Sequence, residues 1–241
     1  AAPTRTEVAQ HVQTATELDH AMETLKNKVD QVTKNYVEWA VKRNIASGLS
    51  MHSQFVKLTE EAKEIAEGAK ELYTALKDND KEKLKKACNM IKDGIGDTVV
   101  VASILAKQYQ LKDAIGSELV SSKFFALAKT EKDPIVTSML SGQIDTDANH
   151  AYFIATPMNM LTSNLLINLG AVASDVARGR NPVGSLKLLC ANIEVIASFL
   201  QFNLAECLEM AWNEIKDRKG LVVDGVFIKF DDLTEEQKAL F

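Results

Sequence analysis

The side chains best placed to do chemistry are carboxylates, and their spacing is helical. Glu61 and Glu64 stand three residues apart and Glu60 and Glu64 four apart, so on a helix all three share one face. Asp93 and Asp97 repeat the four-residue spacing further on. Between the two groups lies Lys77-Asp-Asn-Asp-Lys81, a polar turn signal. Glu61 precedes Asn79 by 18 residues and Asp97 follows it by 18. Both arms of a helical hairpin rise at about 1.5 Å per residue, so the acids finish level with each other. Carboxylates facing one another repel unless a cation sits between them, and hard oxygen ligands select Mg²⁺ or Mn²⁺. Such a centre polarises a phosphate and lowers the pKa of a bound water. The rival reading is a helical scaffold or interaction protein whose acidic face is simply solvated.

The elements that must position these acids are helices. The chain has 241 residues, 46% of them hydrophobic and only 6% aromatic, with four prolines and eleven glycines. That balance predicts an all-α fold with a sizeable core. A net charge of −5 argues against a nucleic-acid or anionic-membrane binder. Cys88, Cys190 and Cys207 are widely spaced, with no Cys-x-x-Cys or Cys–His pairing, and read as buried thiols of a reducing compartment. No apolar run reaches the ~18 residues of a membrane span. No basic-then-apolar leader opens the sequence, so cytosol is the expectation.

Residues 1–12 read as loosely held, and Thr14 to Asn44 as one long amphipathic helix or two in succession. Near its end, Trp39 either stacks on a base or fills the core. Arg43 either reaches a phosphate or base edge or is solvated. Ile45 to Ser50 reads as a loop, and Gln54 and Lys57 precede the acids by one or two turns. Lys123 to Ala128 looks helical and buried, Thr130 to Pro134 a turn, and Ser141 to Asp147 a loop without the spacing of a calcium site. Cys207 to Lys219 reads as helix. Leu221-Val-Val and Val226-Phe-Ile flank Asp224-Gly225, a two-residue β-hairpin signal, and a short helical tail ends the chain.

Glu-Glu-x-x-Glu on one helix, then Gly-Asp and the aliphatic run Val99-Val-Val101 on the next, resembles the all-α nucleotide pyrophosphohydrolases. These comprise the MazG proteins and the dimeric dUTPases. The stretch Ala211-Trp-Asn-Glu-Ile-Lys-Asp-Arg-Lys-Gly220, followed by Val223-Asp-Gly-Val-Phe-Ile-Lys229, is similar to the ending of MazG-like proteins of tailed bacteriophages. The resemblance implies a Mg²⁺- or Mn²⁺-dependent enzyme of an infected cell's cytosol. It would cleave a (deoxy)nucleoside triphosphate to monophosphate and pyrophosphate, and would form a homo-oligomer. It implies Glu60, Glu61, Glu64 and Asp97 as catalytic ligands, with Asp93 joining them on the metal. Glu60 or Glu61 is the candidate holder of the attacking water. Trp39, Arg43, Gln54, Lys57, Asn213, Lys216 and Arg218 are the candidate nucleotide contacts; the bland reading of the last three is a charged helix end. One departure stands out: Gly94 occupies the place where the family carries a second-arm glutamate. Gly94 and Gly96 suggest close approach of a backbone or ligand. The tryptophan- and lysine-rich motif of dimeric dUTPases is missing, which favours a broader or different preference, an alarmone among the options.

The sequence also echoes itself. Leu166–Gly179 lies over Phe55–Gly68 without a gap, and Asn192–Leu200 over Asp97–Leu105. The apolar pattern survives but the acids do not: Glu60 faces Ala171, Glu61 Val172, Asp93 Leu188 and Asp97 Asn192, while only Glu64 keeps an acid opposite, Asp175. Chance likeness between two amphipathic hairpins is one explanation; a fused duplication with a degenerate second copy is the preferred one. The organisation expected is N-terminal helices (1–48), a metal-binding hairpin (49–112), a connection (113–161), the degenerate hairpin (162–204) and a phosphate-binding helix end with the β-hairpin (205–241), all in one compact domain.

Overall fold

A computed structural model describes residues 2–113, 124–127 and 131–241. Nearly all of its regular structure is helical: α1 (Arg5–Lys42), α2 (Ile45–Gly48), α3 (Met51–Lys77), α4 (Lys81–Asp113), α5 (Pro134–Leu140), α6 (Ala148–Ala177), α7 (Val183–Phe199), α8 (Leu204–Ile215) and α9 (Glu235–Lys238). One antiparallel pair, β1 (Gly220–Val223) and β2 (Val226–Lys229), completes it. Asp224 and Gly225 turn the hairpin at φ 50° and 77°, the double left-handed conformation that matches strand twist.

Local chemistry starts the helices where they start. Ser50, Asp133, Asp147 and Asn203 each accept a backbone N–H in the first turn of α3, α5, α6 and α8. Asp80 does the same for Lys83 at the head of α4, and Asn79, at φ 50°, makes the reversal from α3. The equal-armed hairpin expected over Ser50–Gln110 is therefore present as α3 and α4.

Packing closes α3, α4, α7 and α6 into a ring: α3 lies against α4 and α6, and α7 against α6 and α4. Helix α8 lies across α4, and the inner part of α1 across both. The core runs through this ring in Leu58, Ile65, Leu72, Ile91, Ile95, Val99, Leu105, Met158, Val172, Leu189, Ile193 and Leu208. Cys88, Cys190 and Cys207 are free thiols in it. Burial pushes the Cys88 thiol up to about 11 and the Cys207 thiol up to about 12.

Two glycines explain how closely α3 and α4 run. A side chain at Gly68 would collide with Ile91, and one at Gly94 would lie 2.8 Å from Ile65 Cγ1 and 3.1 Å from its backbone nitrogen. Each helix thus offers a notch to an isoleucine of the other. Gly96 faces the other way, against the Cys207 carbonyl and Ala211 Cβ, and lets α8 settle onto α4.

Four local expectations are corrected. Residues 1–12 are not loose from end to end, because Thr4 and Glu7 form a reciprocal capping box that starts α1 at Arg5. Ile45–Gly48 forms a helical turn rather than a loop, with Ile45 and Ala46 buried. Helix α8 stops at Ile215, since Lys216-Asp-Arg-Lys219 has no apolar residue to hold a further turn against α4. Phe124 and Phe125 are buried as expected, but Phe125–Leu127 are not helical and Leu127 takes φ 49°; Lys123 and Ala128 lie outside the described residues. Helix α6 is long and apolar enough to cross a membrane by length and composition. In the structure one of its sides packs on α3 and α7.

Candidate functional site

Six elements line one cavity of about 640 Å³, α2 among them through Ile45. Helix α3 contributes Ser53, Gln54, Lys57, Glu61 and Glu64; α4 contributes Asp97, Val100, Val101 and Ile104. Trp39 comes from α1, Glu214 and Ile215 from α8, Arg218 from the segment after it, and Phe227 from β2. Its lining combines acidic side chains with basic, aliphatic and aromatic ones.

On the acidic wall, oxygens of Glu61, Glu64 and Asp97 all lie within 4.8 Å of one another. Octahedral oxygens at about 2.1 Å from Mg²⁺ are about 3 Å apart when adjacent and about 4.2 Å when opposite, so this set fits a small divalent ion with slight closure. The level arms of the hairpin produce the grouping, as the spacing about Asn79 requires. Glu61 is buried and its Oε1 takes an ion pair from Lys57 Nζ at 2.7 Å. That pairing raises the Lys57 pKa. Burial pushes the Asp97 carboxyl up to about 7, reinforced by Glu61, Glu214, Asp93 and Glu64. Glu64 is shifted up as well, first by burial and then by Glu61.

Other expected residues are distributed differently. Glu60 lies on the solvent side, its carboxylate 3.3 Å from Lys57 Nζ, and does not line the cavity. Asp93 is half-buried and one turn along α4 from Asp97, outside the lining; burial and then Glu214 raise its pKa. Arg43 is buried and occupied: Nε donates to the Arg218 carbonyl at 2.7 Å, Nη1 donates to the Trp39 carbonyl, and the guanidinium lies over the Trp39 ring. It clamps the end of α1 to the segment before β1, a job reinforced by the Val222 N–H donating to the Arg43 carbonyl. Asn213, about 200° round α8 from Ala211, lines a separate depression with Lys28, Asn35 and Glu209. Lys216 is exposed and does not line the cavity.

Two cavity residues bear on ligand chemistry. Gln54 is 7% exposed, lines the cavity, and takes no side-chain hydrogen bond among the described residues. Trp39 is half-buried, and its Nε1 is enclosed without a partner. The Gln54 amide therefore keeps its donors and acceptor for a polar group in the cavity.

Glu214 is the residue that reading the sequence missed. In the sequence its neighbours Asn213, Lys216 and Arg218 carry the phosphate-binding pattern. The signal was available: Ala211, Glu214, Ile215 and Arg218 follow the 3-4-7 spacing of one helical face, and Ala211 is the residue packed against Gly96.

The surviving acid of the second hairpin is structurally committed. Asp175 pairs with Arg180 Nε at 3.1 Å and accepts from the Ser185 hydroxyl at 2.7 Å, tying the α6–α7 turn. Asn192 accepts from Asn168 Nδ2 and donates to the Leu161 carbonyl.

No family model matches the chain, and no solved structure matches it. A local similarity exists to much longer proteins: 43 residues are 81% identical to part of the extracellular matrix-binding protein EbhA of Staphylococcus aureus strain Newman, and equally to that of strain Mu3. The match covers 16% of this chain, and the chain spans about 1% of the length of these relatives.

Proposed function

We propose that the protein is a MazG-like nucleotide pyrophosphohydrolase, cleaving a (deoxy)nucleoside triphosphate to monophosphate and pyrophosphate with Mg²⁺ or Mn²⁺. The observation that carries this reading is the convergence of Glu61, Glu64 and Asp97 within 4.8 Å in a cavity also lined by Lys57, Arg218, Trp39 and Phe227. The bound ion would supply charge neutralisation and an acidified water. Glu61, Glu64 and Asp97 hold it. Lys57 and Arg218, both on the cavity wall, meet the phosphates, with Arg218 suited to a bidentate contact. Trp39, Ile45, Leu49 and Phe227 enclose the base, and Gln54 reads one of its polar edges.

The second hairpin reads as a degenerate copy. A smaller cleft between α6 and α7 is lined by Asn164, Asn168, Asn192 and Val195. In the two aligned stretches Asn168, Asn192 and Val195 lie over Lys57, Asp97 and Val100, and extending the first by two residues puts Asn164 over Ser53, all lining residues of the first cavity. A cleft persists there while its charges have become amides. The same reading carries a homo-oligomer in the host cytosol. From Ala151 to Ser174 helix α6 has no charged residue, yet Met160, Leu166 and Ile167 are exposed, a surface suited to burial against another copy.

The test is incubation with a panel of ribo- and deoxynucleoside triphosphates and a guanosine alarmone, with Mg²⁺ or Mn²⁺, separating pyrophosphate from orthophosphate. Pyrophosphate from at least one triphosphate, lost in D97N, is the expected result. Turnover of the alarmone alone would replace the substrate class. No turnover of anything, with no thermal shift on adding either ion, would establish the scaffold alternative.

A further inference from the structure

Among the described residues, one acid lines the cavity from a helix other than α3 and α4, Glu214 of α8. Position 94 is closed to any side chain, because a Cβ there would press on Ile65. Asp93 stands outside the lining. Glu214 on α8 lines the same cavity, exposed and outside the group of three converging carboxylates, on a helix brought up by the Gly96 notch against Cys207 and Ala211. It takes no ion pair or hydrogen bond among the described residues, unlike Glu61, which holds Lys57. Its charge is also felt by both Asp97 and Asp93.

We propose that Glu214 is a fourth carboxylate of the cation site, supplied by α8 in place of the acid that the α3–α4 contact excludes from position 94. This rests on the reading of the cavity as a cation-dependent nucleotide site. That reading has support independent of the acids in Gln54, more than nine-tenths buried, without a side-chain partner among the described residues, and lining the same cavity. Glu61, Glu64 and Asp97 would hold the ion, and Glu214, outside their 4.8 Å group, would act on it through an ion-bound water. Placing this carboxylate on α8 makes cation binding depend on the α4–α8 contact. Loading the site would then also draw the segment bearing Arg218 towards the phosphates.

The experiment is Mn²⁺ titration of the full chain without nucleotide, read by electron paramagnetic resonance and calorimetry, on the wild type, E214Q, D93N and D97N. Losing a partner in the outer shell of a metal site weakens binding by about ten- to a hundredfold. E214Q is expected to show at least the lower figure, D93N to stay within about twofold of wild type, and D97N to lose binding. Wild-type affinity in E214Q, with D97N still defective, would overturn the role of Glu214 and leave the cation site standing. Equal losses in D93N and E214Q would show a general charge effect and overturn it too. No Mn²⁺ binding by the wild type would remove both this inference and the reading beneath it. Circular dichroism of each variant identifies loss by unfolding, and E214D supplies a folded, charge-retaining variant in which partial recovery is expected.

Discussion

Asp97 carries a charge that the folded chain resists. Its carboxyl ordinarily titrates near 3.8 and is held up to about 7 by burial first, then by Glu61, Glu214, Asp93 and Glu64. Between those two values the folded protein keeps a proton that the unfolded chain has released. Stability without metal therefore falls as pH rises through that window, and levels off above it. In EDTA, urea midpoints of the wild type should drop from pH 5 to pH 8 relative to D97N, which has no such group. Parallel pH dependence of the two proteins would show that Asp97 is not the strained site. The residues of this cluster were legible in the sequence because one period, 3.6, and one turn, at Asn79, fix their relative height. Glu60 was not separable from Glu61 on that basis. Adjacent positions on a helix differ by about 100°, and only packing against α4 decides which turns inward.

At the level of elements, the glycines separate close contact from helix propensity. Replacing Gly by Ala in an open helix interior gains up to ~1 kcal/mol, and a Cβ at Gly170 in α6 meets nothing within 4 Å. G170A should therefore be neutral or slightly stabilising. G94A and G96A should instead cost about 1–3 kcal/mol, the usual toll of overpacking. G96A should in addition weaken Mn²⁺ binding, since it pushes α8 and Glu214 away. Urea denaturation of the three variants measures this; stabilisation by G94A would contradict the tight α3–α4 contact. The sequence predicted that Gly94 and Gly96 mark a close approach, and the structure identifies it as backbone against neighbouring helices. Which helix each glycine serves was not readable, because that depends on α8 crossing α4, a contact between residues more than 100 positions apart. Turn chemistry was more transparent. The Asp224-Gly225 hairpin and the Lys77–Lys81 reversal stand where local signals placed them.

For the whole molecule, the division of labour between the two hairpins is testable. Asp175 ties a turn to Arg180 and Ser185, so D175N should cost about 1–2 kcal/mol through lost hydrogen bonds and leave turnover within a few-fold. E64Q, at the aligned position, should abolish turnover. Leu169, buried on the inner side of α6, gives the opposite contrast: L169E leaves an unpaired buried charge and should unfold the chain. Comparable catalytic losses in D175N and E64Q would mean that the second hairpin takes part in the chemistry.

Helix α1 has a mechanical consequence. Its apolar stripe runs Ala15, Leu18, Met22, Leu25, Val29, Val32 and Tyr36, but only the last three residues of the stripe are buried. The inner end is clamped, with the Tyr36 hydroxyl donating to the Leu208 carbonyl. The outer part, Arg5 to Lys28, stands clear of the body except for Met22 and Leu25 at its base, a rod of about 36 Å at 1.5 Å per residue. A rod that long acts as an oar. It should slow tumbling well beyond that of a sphere of the same mass and bring any torque on its tip to the α1–α8 seam beside Trp39. Brief trypsin treatment should trim it at Lys26 or Lys28 and restore sphere-like sedimentation, with the remaining body still folded. Resistance of the intact chain to such trimming would show that the oar is shipped against something in solution.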